Sequence, residues 1–294
     1  MRPRIALATY DRAPSLAPDD QLLIPALSAV GIDAEPAVWT SQDVIWETFD
    51  AVVVRSCWDY HLRYDAFRAW LERLDGSRLP VWNSVGTIEW NSHKRYLVEL
   101  SRRGVPIVPT QVITDRSVDA VTAAVRDAGW PRFVLKPAIS ASGFETHALD
   151  ASFDDASRAT IARVMRFGDA LVQPFMDEVP RHGEYSLVYI DGHFSHAAIK
   201  RAGGSEFRVQ TEHGGSVTPV HVDDALIEAG NRALSALSET PLYARVDGVV
   251  HDGAFLLMEL ELIEPNLFFG LEPRSAERFA AAVARRLSGP GRSG

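Results

Sequence analysis

The chain has 294 residues, 46% of them hydrophobic, enough for a sizeable core in two or three packed units. Its formal net charge of −9 argues against nonspecific binding to nucleic acid or anionic membranes, which needs a basic face. A single cysteine, Cys57, excludes an internal disulfide framework and a cysteine-rich zinc site, and no apolar run approaches the roughly 20 residues that span a bilayer.

Ile5 to Thr9 reads as an apolar first strand, too short for the apolar core of a signal peptide, so a cytoplasmic protein is expected. Leu22, Leu23, Ala26, Leu27 and Val30 form a helical stripe stopped by Gly31. Ala34 to Val38 and Ala51 to Val54 read as strands, with a helix from Tyr64 to Leu74 after them. This alternation predicts a parallel sheet flanked by helices, with ligands beyond the strand C-terminal ends. Near Asn83 the texture changes. Ser92 is expected to cap a helix through Arg103, ended by Gly104 and Pro106. Phe133 to Lys136 and Ala170 to Gln173 are strands on either side of a helix from Asp154 to Met165. Two hairpins follow, turning at Asp191-Gly192 and at His251-Asp252-Gly253, with a helix from Asp224 to Leu237 between them. A last helix, Ser275 to Leu287, precedes a Gly/Ser/Pro tail. The expected fold class is α/β and α+β: an N-terminal α/β domain at 1–90, lobes at 91–176 and 177–288, and a disordered tail at 289–294.

The second hairpin carries the most chemistry. Side chains alternate along a strand, so Arg245 and Asp247 share one face, as do Glu259 and Glu261, and pairing brings these faces together. Three carboxylates beside one guanidinium are costly without a neutralising cation, and oxygen donors suit Mg²⁺. A solvated hairpin face would give the same alternation. Lys136 ends an apolar strand before Ala138-Ile139-Ser140-Ala141-Ser142-Gly143, where a phosphate could meet an ammonium and loop N–H groups. An ordinary strand-end lysine reads the same way. Gln173 leads into Pro174-Phe175-Met176, which exposes backbone that could read an adenine edge, and Glu184 downstream could accept from ribose hydroxyls. An inter-domain linker would also account for that stretch.

In this order and spacing, from about Asn91 to Asn266, the elements resemble the ATP-grasp superfamily, which includes glutathione synthetase and D-alanine–D-alanine ligase. The resemblance implies that ATP and Mg²⁺, with two ions, are the cofactors. It implies that Lys94 and Lys136 hold phosphates, with Lys200 reaching them. Ser140, Ser142 and Gly143 would belong to a mobile lid, Gln173, Phe175 and Met176 to the adenine pocket, and Glu184 to the ribose site. Asp247, Glu259 and Glu261 would bind metal, and Arg245 and Lys200 would be catalytic. Family members usually end on Glu-x-Asn, whereas this chain has Glu259-Leu260-Glu261, and Glu264 or Asn266 is a second possible assignment.

Ala8-Thr9-Tyr10-Asp11, Val54 to Tyr60, and Glu259 to Pro265 are similar to the subgroup of cyclo-ligases that close the D-cycloserine ring from O-ureido-D-serine. That resemblance implies an amino-acid-like substrate, a carboxylate activated as acyl phosphate, and attack by a nitrogen of the same molecule. Arg55, Asp59 and Tyr10 would then meet the substrate, although salt-bridged surface residues explain Arg55 and Asp59 equally well. An intermolecular ligase, a silent nucleotide-binding module and a plain binder are the other readings. Self-association stays open.

Overall fold

The computed structural model describes residues 2–204, 208–209 and 214–289. β1 (Arg4–Thr9), β2 (Asp33–Val38), β3 (Ala51–Ser56) and β4 (Val81–Trp82) form a parallel sheet in the order β2-β1-β3-β4. α1 (Leu23–Ala29) links the first two strands, and α2 (Tyr64–Gly76) the last two. Alternation sorts the core: Ile5, Leu7, Ala51 and Val53 pack on α1 and the C-terminal helix, whereas Ala6, Ala8, Val52 and Val54 face Phe67 and Trp70 of α2. Every residue of β3 is buried, as in a strand covered on both sides.

α3 (Val85–Ser92) and α4 (Tyr96–Arg102) replace the single helix expected from Ser92 to Arg103. Ser84, not Ser92, is the cap, accepting from Thr87 N–H, and Ser92 closes α3 by donating its hydroxyl to Ile88 O at 2.7 Å. The break between the helices holds Lys94, whose backbone N–H donates to Ala138 O at 2.8 Å.

β5 (Gln111–Ile113), β6 (Arg132–Pro137), β7 (His147–Asp150) and β8 (Ala170–Pro174) form an antiparallel sheet in the order β5-β8-β6-β7. α5 (Val118–Ala128) and α6 (Asp155–Val164) cover it through Val121, Val125, Ile161 and Val164. After the short α7 (Glu178–His182) come β9 (Glu184–Ile190), β10 (His193–Arg201), β11 (Ser216–Pro219), β12 (Tyr243–His251) and β13 (Ala254–Glu261). They form the third sheet, antiparallel and ordered β11-β10-β9-β12-β13. Both hairpins turn on two residues of positive φ, Asp191-Gly192 and Asp252-Gly253; His251, expected in the second turn, is the last residue of β12 and pairs with Ala254. α8 (Asp224–Ser235) lies between the hairpins, and α9 (Ser275–Ser288) returns to the parallel sheet. The sheets occupy 4–82, 111–174 and 184–261. Residues 290–294 of the expected disordered tail lie outside the described residues. Among those described, no helix is long and apolar enough to cross a membrane.

Candidate active site

Strand register assembles the charged cluster. Arg245 pairs with Glu261 and Asp247 with Glu259 across β12 and β13, while Asp247 faces Ser186 on β9 and Glu184 faces Lys200 on β10. Polar groups from β9, β10, β12 and β13 therefore lie on one face of the third sheet. The register shifts at a bulge between Asp247 and Gly248, and glycine is required there. A Cβ on Gly248 would stand 2.4 Å from Leu256 O and 2.5 Å from the Phe255 ring.

That face and the second sheet enclose a cavity of about 440 Å³. Lys200 Nζ contacts Glu184 at 2.5 Å and Asp247 at 2.8 Å; Lys136 Nζ reaches across from β6 to Glu259 at 2.5 Å. Arg245 donates through Nε and Nη2 to Asp247, through Nη2 to Glu261 and through Nη1 to Asn266 O at 2.9 Å. Lys94 Nζ donates to Ser140 O at 2.7 Å and lies 4.0 Å from Glu259.

Burial disfavours the charges on Asp247, Glu259, Glu261, Lys200 and Arg245, so the pairs decide their ionisation. Burial alone would raise Asp247, but Arg245 and Lys200 hold it well below the usual carboxylate range. Lys136 and Lys94 likewise overcome burial at Glu259 and bring it down to about 2. Glu261 shares its one cation with Asp247 and is repelled by Asp247 and Glu259, so burial prevails and pushes it up to about 7. Glu264 is pushed up to about 8 by burial, with Glu261 adding repulsion.

Lys94, Lys136, Ser140, Ser142, Gly143, Gln173, Phe175, Met176, Glu184, Lys200, Arg245, Asp247, Glu259 and Glu261 all line this one cavity. Gln173 Nε2 donates to Thr110 Oγ1 at 2.9 Å, fixing the amide beside the Phe175–Met176 connector. Glu259 and Glu261 occupy the register opposite Asp247 and Arg245, whereas Glu264 and Asn266 follow the end of β13.

Arg55, Asp59 and Tyr10 are not among the lining residues. Arg55 is 0% exposed, so it is neither a surface salt bridge nor open to substrate. It pairs with Asp20 at 2.8 Å, donates to Pro265 O at 2.7 Å and stacks 4.8 Å from the Tyr243 ring. Asp59 accepts from Trp39 Nε1 at 2.9 Å and pairs with Arg63. Tyr10 lies against Trp58, ring centroids 6.2 Å apart. The lining residues from this part of the chain are instead Asp19, Trp58 and Tyr60, beyond the C-terminal ends of β1 and β3. The rule for parallel sheets pointed to these loops but not to the side chains within them.

Among the described residues, no three His, Cys, Asp or Glu converge as a metal cage. The carboxylates expected to bind Mg²⁺ are each closed on a Lys or Arg, which supplies the neutralising charge in this arrangement. Their donor chemistry, hard oxygen on adjacent strands, fits Mg²⁺.

A family described as the N-terminal domain of D-cycloserine synthetase DcsG matches residues 5–83. The cycloserine biosynthesis protein DcsG of Streptomyces lavendulae is 34% identical over 279 residues, covering 90% of this chain and 92% of that protein. A crystal structure of D-cycloserine synthetase DcsG matches with a TM-score of 0.88 and 30% identity, covering 97% of this chain and 99% of that one. The D-alanine–D-alanine ligase of Bacillus anthracis matches at 0.71 with 13% identity, covering 97% of each chain, which shows a shared fold; its complex with ATP matches at 0.69. The chain belongs to the DcsG family of cycloserine biosynthesis proteins, which are ligases of the ATP-grasp fold.

Proposed function

We propose that this chain closes the D-cycloserine ring from O-ureido-D-serine at the expense of ATP, and that its reaction is cytoplasmic, where ATP is supplied. The observation that carries this reading is the convergence of Lys136, Lys200 and Arg245 with Asp247, Glu259 and Glu261 in a single cavity. Cations that can spread charge over a transferred phosphoryl group are held there by the buried Asp247 and the half-buried Glu259 and Glu261, pre-oriented before substrate arrives.

The substrate carboxylate attacks the γ-phosphorus, the bond to the β–γ bridging oxygen breaks, and ADP leaves with an acyl phosphate formed. The nitrogen bonded to the substrate's side-chain oxygen attacks the acyl carbon, and phosphate departs as the acyl C–O bond breaks. The nitrogen's proton is lost, and water removes the carbamoyl group as CO₂ and ammonia. Lys94 and Lys136 hold the nucleotide phosphates, and Lys200 and Arg245 meet the transferred group. Gln173, Phe175 and Met176 face the adenine, with Glu184 toward the ribose. Asp247, Glu259 and Glu261 are the oxygens that would hold Mg²⁺, two ions by the family resemblance, which neutralises phosphate charge when bound. Attack within one molecule needs the protein mainly to hold a folded conformer and exclude water.

ADP release should depend on O-ureido-D-serine, exceed that with the L-isomer, and yield the ring without added amine. ADP release that requires a second amine would assign the chain to intermolecular ligation instead.

A further inference from the structure

The cavity that holds the charged cluster is also lined by Asn266, Glu264, Phe268, Trp58 and Asp19. Glu184, Asp247, Glu259 and Glu261 each lie against a Lys or Arg in this structure. Asp19 has both oxygens occupied, accepting from Phe269 N–H and Gly270 N–H at 2.9 Å. Glu264 differs. It lines the cavity and forms no ion pair with any Lys, Arg or His among the described residues.

Its backbone is held in place from both sides. Trp58 Nε1 donates to Glu264 O at 3.1 Å, Arg55 Nη2 to Pro265 O at 2.7 Å, and Arg245 Nη1 to Asn266 O at 2.9 Å. The same three-residue segment thus carries a carboxyl group that forms no ion pair among the described residues and touches Arg245, the guanidinium assigned to the transferred phosphoryl group. An α-amino acid presents this pattern in reverse, a carboxylate one carbon away from an ammonium. Trp58 and Phe268 line the same cavity, aromatic faces suited to a cation, and Arg245 lies 5.4 Å from the Phe268 ring centroid.

We propose that Glu264 is the specificity residue that receives the substrate's α-ammonium, setting its carboxylate toward Arg245. This assignment rests on the cyclisation reading above for the identity of the amino acid. It gives Glu264 a role other than metal binding.

The test is calorimetric titration of the full chain, wild type and Glu264→Gln, with O-ureido-D-serine and with its deamino analogue, 3-(ureidooxy)propanoate. Wild type should bind the amino compound more tightly, and Glu264→Gln should weaken that compound by about tenfold or more while leaving the analogue unchanged. The Mg²⁺ dependence of ADP release and the KM for ATP should be the same in both proteins. Glu264→Asp, which keeps the carboxyl group, should recover part of the lost affinity, separating recognition from misfolding. Equal loss for both compounds, or wild-type binding that ignores the amino group, overturns the proposal. A changed Mg²⁺ requirement with amino-group recognition intact overturns it in favour of a metal ligand. If wild type discriminates the two compounds and Glu264→Gln loses that discrimination, yet no ring forms, the Glu264 assignment stands and the cyclisation reading falls.

Discussion

Glu259 lies between Lys136 at 2.5 Å and Lys94 at 4.0 Å, so either lysine can turn to an incoming phosphate while the other retains the carboxylate. Lys136→Ala should lower kcat for ADP release about 100-fold to 1000-fold, the scale of removing one oriented charge from a transition state, measured by a coupled ADP assay. Such residues were legible before the fold because strand alternation and hairpin pairing place them by arithmetic: Arg245 with Glu261, Asp247 with Glu259. Arg55 was not. The apolar run Val52-Val53-Val54 marks a strand covered on both faces, but it does not say whether that cover extends over the residue at its C-terminal end, and a buried arginine looks in sequence like one at a strand mouth. Glu264 makes a further test through pH. Its folded-state value of about 8 stands above the ordinary 4.5, so the folded, substrate-free protein holds the proton that the unfolded chain releases. Wild type should therefore lose stability relative to Glu264→Gln as pH rises from about 4.5 to about 8, and the difference should level off above that. Thermal melts of both proteins across this range check it; a pH-independent difference would contradict the burial argument.

The loop between β6 and β7 is tied to the N-terminal unit as well as to its own sheet. Lys94 anchors Ser140, and the Phe144 ring sits 5.2 Å from His61 and 5.0 Å from Phe167. Phe144→Ala should loosen the cover over the cavity and admit water to the acyl phosphate. The expected result is two or more ADP released per ring formed, against one in wild type, read by comparing ADP with product. In β12, Gly248→Ala should destabilise by about 1–3 kcal/mol, because the new methyl meets backbone at 2.4 Å and must displace the bulge; chemical denaturation measures it. The hairpins, the parallel unit and most helices were readable from turn residues and periodicity. The α3–α4 break was not, since Gly86 weakens the helical signal and Ser92 resembles a cap while serving as a helix end.

Across the whole molecule, the N-terminal parallel sheet meets the last third of the chain through a shared apolar core and a few buried polar links. Arg55 joins Asp20 to Pro265, and Asn83 accepts from Leu242 N–H at 2.7 Å while donating to Tyr243 O and Leu262 O. Partners this far apart in sequence, 210 residues for Arg55 and Pro265, leave no local signature, which is why the domain contact was invisible in advance. Arg55→Ala strands Asp20 in the interior and should cost about 3–5 kcal/mol of stability, seen as an early unfolding transition. These links hold the Trp58 and Glu264 walls against the phosphoryl site, so the reaction and its substrate pocket depend on one assembled molecule. The most direct test of that reaction uses an O-ureido-D-serine analogue whose ring-closing nitrogen is replaced by CH₂, incubated with the enzyme, Mg-ATP and hydroxylamine. Activation of the carboxylate as an acyl phosphate predicts ADP and the analogue's hydroxamate in equal amounts. Hydroxamate formed with AMP and pyrophosphate, or no hydroxamate from an enzyme that still makes the ring, would contradict it.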